Sequence, residues 1–237
     1  MTSHSPKLKE NTVHLWQAHI PTLANFENDF LQYLTIDEVT RANRFHFPLH
    51  RLRFIIARGL LRKILKLYTD ETIAFIYGPK GKPFLRNNKM KLQFNVSHSE
   101  DWVVYAITLN TEIGVDVQKI DDHEHESIAK RHFSEQEYNA LMAFPESERP
   151  LVFCSIWAAK EAIVKALGEG LHVSLQSFAV SVLEPSQWIL LPGGEKYYLS
   201  YFFTHPDYQA AFATLQTVET ILRWQFVSLN SYISLTA

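Results

Sequence analysis

The stretch WAAKEAIVKALGEGL, residues 157–171, places Lys160, Glu161 and Lys165 close together on one amphipathic helix. At 100° per residue, Ile156, Ala159, Ala162, Ile163, Ala166 and Leu167 gather on one face, and Trp157, Glu161 and Lys165 form an adjoining stripe. The plainer reading is a surface helix in which Glu161 and Lys165, spaced i,i+4, stabilise each other by a few tenths of a kcal/mol. The alternative is a carboxylate and two ammonium groups that handle a charged ligand. Lys160 borders the apolar face, where its stem would be packed and its ammonium directed. Gly168 and Gly170 then stop the helix and leave room for a partner.

A second group lies upstream in GVDVQ, residues 114–118. Strand alternation turns Val115 and Val117 one way and Asp116 and Gln118 the other, roughly 6–7 Å apart. Gly114 leaves space for a close neighbour. A carboxylate and an amide oxygen suit a hard cation such as Mg²⁺, which takes oxygen ligands and keeps waters. A half-exposed edge strand is the plainer reading.

Two further stretches carry polar chemistry. FNVSHS, residues 94–99, ends a short apolar strand in Ser97, His98 and Ser99, groups that can hold a phosphate. GPKGKPF, residues 78–84, is a turn that projects Lys80 and Lys82 and lacks the spacing of a Walker A loop. Residues 41–66 are basic, with Arg41, Arg44, Arg51, Arg53, Arg58, Arg62, Lys63 and Lys66 among Phe45, Phe47 and Phe54. That pattern raises nucleic-acid binding. The arginines are spread around the helix, so a small polyanion held by two or three of them fits better.

The elements that position these groups are mixed. VHLWQAHI, IAFIYG, FNVS, WVVYAITL and IGVDVQKI read as strands. Residues 36–67 read as helix broken near Pro48, and helix returns over 134–167. FAVSVL, KYYLSYFFT, YQAAFAT and WQFVSL read as strand and hairpin. Both helical stretches open on a capping box, Thr35 with Glu38 and Ser134 with Glu137, then meet a proline and resume. Two similar α+β lobes joined near LNTEIG, residues 109–114, would give this repeat, and a cleft between them is a natural ligand site.

The bulk properties agree. The 237 residues, 46% hydrophobic and 20% charged, have soluble globular composition and suit one large domain or two lobes. A net charge of −2 gives no general attraction to nucleic acid or membrane. One cysteine, Cys154, excludes an internal disulfide and points to a reducing compartment. The first residues lack the apolar core of a leader, and no stretch approaches the roughly eighteen apolar residues of a membrane span. The expectation is a cytoplasmic protein without a membrane partner.

Taken in order, GKPF, FNVSHS, GVDVQ and WAAKEAIVK resemble the Sfp-type 4′-phosphopantetheinyl transferases, whose pattern is G-[IV]-D-x-E followed by W-x-x-K-E-[AS]-x-x-K. The resemblance covers residues 35–178. It implies a pseudo-dimer of two similar α+β lobes, here 1–112 and 113–237, with the active site in the cleft between them. It implies Mg²⁺-dependent transfer of 4′-phosphopantetheine from coenzyme A to a serine of an apo acyl carrier protein or peptidyl carrier domain, with release of 3′,5′-ADP. By the same resemblance, Asp116, Gln118 and Glu161 are the metal ligands, and Glu161 and Lys165 are catalytic, with Glu161 a candidate base. Lys160 and Lys165 match pyrophosphate contacts, and Lys82, Ser97, His98, Arg41 and Arg53 lie near the nucleotide 3′-phosphate. Gln118 departs from the family's usual Glu and removes one negative charge. A monomer without nucleic-acid partners is expected. The competing expectations are a coenzyme A-binding or carrier-binding module without turnover, motivated by Gln118, and a nucleic-acid binding module, motivated by residues 41–66.

Overall fold

The computed structural model describes residues 7–121, 125–168, 174–202 and 205–235. Strand β1 (Thr12–His19) leads into the short helices α1 (Ile20–Leu23) and α2 (Glu27–Leu31), then α3 (Ile36–Ala42) and the long α4 (Pro48–Lys66). A small hairpin, β2 (Phe75–Tyr77) and β3 (Pro83–Leu85), precedes a larger one, β4 (Leu92–Ser99) and β5 (Trp102–Leu109). The order then recurs. Strand β6 (Ile113–Lys119) is followed by α5 (Glu126–His132), α6 (Glu135–Ala143) and the long α7 (Arg149–Leu167), and then by β7 (Ser186–Leu190), β8 (Lys196–Phe202) and β9 (Tyr208–Thr214). Finally come β10 (Thr220–Ser228) and β11 (Ser231–Ser234).

The first sheet has the order β11-β10-β1-β5-β4, and the second has β6-β9-β8-β7. In each half the opening strand pairs antiparallel with the closing strand of the hairpin, β1 with β5 and β6 with β9. The second sheet takes its four strands from residues 113–214. Residues 220–234 then return to the first sheet, where β10 runs parallel to β1.

Period-two alternation sets the packing of both sheets. Trp16, Val103, Tyr105 and Ile107 face α4, while Ala211 and Ala213 face α7. The opposite faces meet each other: Val13, Leu15, Val104 and Ala106 of the first sheet share a buried cluster with Val115, Val117, Ala210 and Phe212 of the second. The result is the expected α+β fold of two similar lobes.

The internal likeness goes beyond topology. Both capping boxes form, with Thr35 and Ser134 at the N-caps. Both long helices carry a proline in their first turn, which has no donor to lose there. In each half the box glutamate also meets a cation from the long helix. Glu38 lies 2.9 Å from Arg62, and Glu137 lies 2.8 Å from Lys160. Each cation reaches on to the chain after its helix, Arg62 to the Ile73 carbonyl at 2.7 Å and Lys160 to the Leu175 and Phe178 carbonyls, both at 2.6 Å.

Several expectations change. FAVSVL, residues 178–183, is not a strand. Its backbone is satisfied by side chains: Lys160 donates to the Phe178 carbonyl, and the Val180 and Ser181 N–H groups donate to Glu137 and Gln187. With those groups engaged, no strand ladder is needed. Helices α1, α2 and α5 and the edge strands β7 and β11 lie outside the elements expected from hydrophobic periodicity. Gly168 does end α7, in the left-handed region at φ 74°, its N–H bonded to the Val164 carbonyl. Gly170 lies outside the described residues.

Lys160→Met leaves Glu137 buried without its counter-charge. Its unfolding free energy in denaturant should fall by about 3–5 kcal/mol, the cost of breaking a buried pair. A loss below about 1 kcal/mol, the range of surface pairs, would contradict the structural assignment.

Candidate active site

Strand β6 delivers its polar face as its alternation requires. Val115 and Val117 are buried between the sheets, and Asp116 and Gln118 emerge together on the other side. Asp116 is only 2% exposed. Its Oδ1 accepts from the Ser97 hydroxyl at 2.7 Å and from the Lys165 ammonium, and its Oδ2 accepts from the Gln118 amide nitrogen at 2.7 Å. Lys165 also donates to Ser97 Oγ at 3.1 Å.

Helix α7 brings Lys165 and Glu161 to this point because it lies almost on the backbone of β6. A Cβ on Gly114 would stand 2.0 Å from the Ala162 carbonyl oxygen and 2.3 Å from the Ala166 nitrogen. Only glycine permits that approach, while alanines 158, 159, 162 and 166 keep the helix face low. Lys165 therefore pairs with Asp116 on the strand beneath its helix rather than along the helix with Glu161. Half-buried Glu161 has no hydrogen bond or ion pair among the described residues. Burial raises its pKa above the ordinary carboxylate value, the neighbouring Asp116 charge raises it further, and Lys165 partly opposes both.

The first lobe joins the second through side chains of β4. Asn95 Oδ1 accepts the Val115 N–H and Ser99 Oγ accepts the Lys119 N–H, both at 3.0 Å, with the Ser97–Asp116 bond between them. The intervening Val96 and His98 face a trough along the lobe junction. At one end a cavity of about 260 Å³ is lined by Lys82, Glu161, Lys165 and Gly168. It adjoins, at Val96, a cavity of about 220 Å³ beside Arg41, Phe54, Arg58 and His98. That one shares Arg41, Phe54 and His98 with a cavity of about 390 Å³ lined also by Arg53 and Glu100.

The expected site residues are thus divided among three places. Asp116, Gln118, Glu161, Lys165 and Ser97 come together at one end, and Arg41, Arg53 and His98 at the other. Ser97 differs from expectation: it is 6% exposed and bonded to Asp116 and Lys165, not turned to the arginine end. Lys82 also sits at the Glu161 end, donating to Glu112 at 2.7 Å and to the Ala166 carbonyl at the close of α7. Lys160 is not in the trough. Fully buried, it gives its donors to Glu137 and two carbonyls, so the position expected to touch pyrophosphate holds the lobe together instead.

At the arginine end, Arg53 binds Glu100 at 2.6 Å and Asp101 at 3.1 Å, and Arg41 lies 5.2 Å from the Phe54 ring centre. The His98 pKa is lowered by desolvation in the trough wall and by the Lys165 and Arg53 charges, against a smaller opposing pull from Asp116. Arg58, named in the sequence only as one of the basic stretch, also lines this end: its Nε lies 3.4 Å from Glu38, its buried Nη1 has no hydrogen-bond partner among the described residues, and its guanidinium lies 5.9 Å from the Phe54 ring centre. The signal was present in the phenylalanines interleaved with arginines over 41–58.

No group of three or more His, Cys, Asp or Glu residues converges among the described residues. The available donors are two carboxylates and the Gln118 amide. One carboxylate is partnerless and held above its ordinary pKa beside the other, an excess of negative charge that a hard cation relieves. These donors would fit such a cation.

Comparison with known proteins bears on this geometry. Residues 112–213 match the 4′-phosphopantetheinyl transferase superfamily, and residues 16–110 match the family described as 4′-phosphopantetheinyl transferase, N-terminal. The chain is 37% identical over 170 residues to the 4′-phosphopantetheinyl transferase HetI of Nostoc sp., covering 69% of this chain and 72% of that one. It is 32% identical over 187 residues to the transferase psf-1 of Bacillus pumilus, covering 77% and 79% of the two chains. With the transferase Sfp of Bacillus subtilis it shares 30% identity over 195 residues, 80% and 86% of the two chains. The chain belongs to the 4′-phosphopantetheinyl transferase superfamily, and it is a transferase of that kind.

Two outcomes follow. Gly114→Ala must push α7 off β6; overpacking of this sort costs about 1–3 kcal/mol, and the unfolding midpoint in urea should fall accordingly. The raised pKa of Glu161 means that the folded chain holds a proton the unfolded chain releases. Stability is therefore lost as pH rises from the ordinary carboxylate value through the raised one. Melting curves in chelator should show Glu161→Gln more stable than wild type at neutral pH, with the gap closing in acid below the ordinary carboxylate value.

Proposed function

We propose that the trough binds coenzyme A and that the Asp116 cluster uses Mg²⁺ to move its 4′-phosphopantetheine onto a serine of an apo acyl carrier protein or peptidyl carrier domain. The observation that carries this reading is the grouping of Asp116, Ser97 and Lys165, with Glu161 partnerless beside them, at one end of a cationic trough. Arg41, Arg53 and His98, and Arg58 with them, suit the nucleotide 3′-phosphate; the lowered His98 pKa would rise as an anion arrives. Lys82 and Lys165 suit the diphosphate. The lobe division at 112/113 belongs to the same reading, supported by family matches that end at 110 and resume at 112. So do a monomeric state, a cytoplasmic location and the absence of nucleic-acid or membrane partners. The net charge of −2 supports the last point.

The carrier serine oxygen attacks the phosphorus that bears the pantetheine. A new phosphoester bond forms, the bond to the bridging diphosphate oxygen breaks, and 3′,5′-ADP leaves. Glu161, beside the Asp116 cluster, is the candidate acceptor for the hydroxyl proton. Lys165 lies where it can stabilise charge growing on the diphosphate oxygens. Asp116, Glu161 and Gln118 would hold Mg²⁺, which orients the diphosphate and neutralises its charge. Ser97 and Gln118 keep the Asp116 carboxylate oriented.

Mass spectrometry of an apo carrier incubated with the protein, coenzyme A and Mg²⁺ tests the reading. The carrier should gain one phosphopantetheine, and Asp116→Ala should slow transfer by about 10²–10³-fold, as when a preorganised charge partner is lost. No modified carrier across fatty-acid, polyketide and nonribosomal-peptide substrates would overturn it. Tight coenzyme A binding without transfer would identify a binding module instead.

A further inference from the structure

We propose that in the free enzyme the Lys165 ammonium holds the place of a divalent cation at Asp116, and leaves it for the substrate diphosphate when that cation binds. The inference rests on the Mg²⁺ reading above and adds an exchange step to it.

Three observations lead there. First, both oxygens of Asp116 are taken. Ser97 and Lys165 donate to Oδ1, and Gln118 donates to Oδ2. Ser97 and Gln118 are neutral, so Lys165 alone supplies counter-charge by direct contact to a carboxylate that is 2% exposed. A cation arriving at Oδ1 would meet an ammonium already in contact, and the two like charges cannot share that oxygen.

Second, Lys165 has somewhere to go. Its side chain is 28% exposed, and it lines the cavity of about 260 Å³ together with Lys82. Rotation of its flexible four-carbon stem carries the charge from Asp116 into that space without moving the backbone of α7. Lys160, five residues earlier, could not do this. It is fully buried and tied to Glu137 and two carbonyls.

Third, Glu161 is left out of the present pairing. With both carboxylates ionised, Asp116, Glu161 and Lys165 sum to one negative charge. A divalent cation reverses that sign, and the two charges of a diphosphate restore it. The displaced ammonium then sits beside phosphate oxygens. Cation and diphosphate therefore favour each other through one lysine, in addition to any direct bond between them.

The test is Mn²⁺ binding to the full chain without coenzyme A, read by the electron paramagnetic resonance of free Mn²⁺. Lys165→Met and Lys165→Gln should each bind Mn²⁺ about tenfold tighter than wild type, a typical coupling between touching groups. A lysine that only contacts phosphate would leave this affinity unchanged. One that only braces the site would weaken it on removal. Either result in variants that melt cooperatively overturns the proposal. A second readout needs no variant beyond signal assignment. In wild-type protein carrying ¹³C-labelled lysine, the ε-methylene signal of Lys165 should shift on addition of Mg²⁺ alone, and an unmoved signal at saturation overturns the exchange. If wild type shows no Asp116-dependent Mn²⁺ binding even with coenzyme A, the Mg²⁺ reading itself fails, and the exchange with it.

Discussion

The site depends on a seam between two strands that do not share a backbone ladder. Strand β4 ends the first sheet and β6 ends the second. Where an ordinary sheet would continue by backbone pairing, Asn95, Ser97 and Ser99 reach across with side chains. Every second residue of β4 is therefore committed to the junction, while Val96 and His98 between them line the trough. Two of the three bonds engage β6 N–H groups on the side of the strand away from β9, that of Val115 being buried. The middle one orients Asp116. Lobe docking and carboxylate placement are thus one set of contacts, and a shift of either strand by one residue would turn the wrong side chains to both.

The two lobes repeat one device and use it unequally. In each, a capping-box glutamate is joined to a cation from the long helix, Arg62 in one half and Lys160 in the other. This explains why a lysine directly beside Glu161 in sequence does not share its surroundings. Neighbours on a helix point 100° apart. Glu161 looks to the lobe junction, and Lys160 looks back to α6. The asymmetry of the site comes from what the opening strands carry. The second half offers Asp116 and Gln118. In the first, the face of β1 toward its long helix carries His14 and Trp16, which both bond the Tyr68 hydroxyl at 2.8 Å.

Much of this arrangement could be read from the chain. WVVYAITL and IGVDVQKI declare their strands because β-branched and alternating residues leave few other options. The GVDVQ alternation places Asp116 and Gln118 on one face, and Gly114 marks the close approach. The two capping boxes carry the repeat. What escaped has physical reasons too. FAVSVL has strand composition, but its backbone groups are claimed by Lys160, Glu137 and Gln187, contacts up to 43 residues away that no local pattern contains. Helices α1 and α2 are too short to show a period. The resemblance assigns Lys160 to pyrophosphate, and a wheel gives its angle but not the Glu137 it meets. The resemblance likewise assigns Ser97 to the nucleotide, and its partner Asp116 comes from another sheet.

The parallel pairing of β1 with β10 sets the order in which the molecule can be built. Thr12 lies opposite Thr220, 208 positions further on. At about 5–20 residues per second, a ribosome needs about 10–40 s to cover that distance. Throughout that time one edge of β1 is open, and the hairpin of β4 and β5 can guard the other only once residue 109 has been made. The second lobe is complete at residue 214, before the strand that closes the first has emerged. The half carrying Asp116 and Glu161 is thus nested inside the half that was started earlier. The nascent chain is exposed to misassociation chiefly at β1, remote from the residues that do its chemistry.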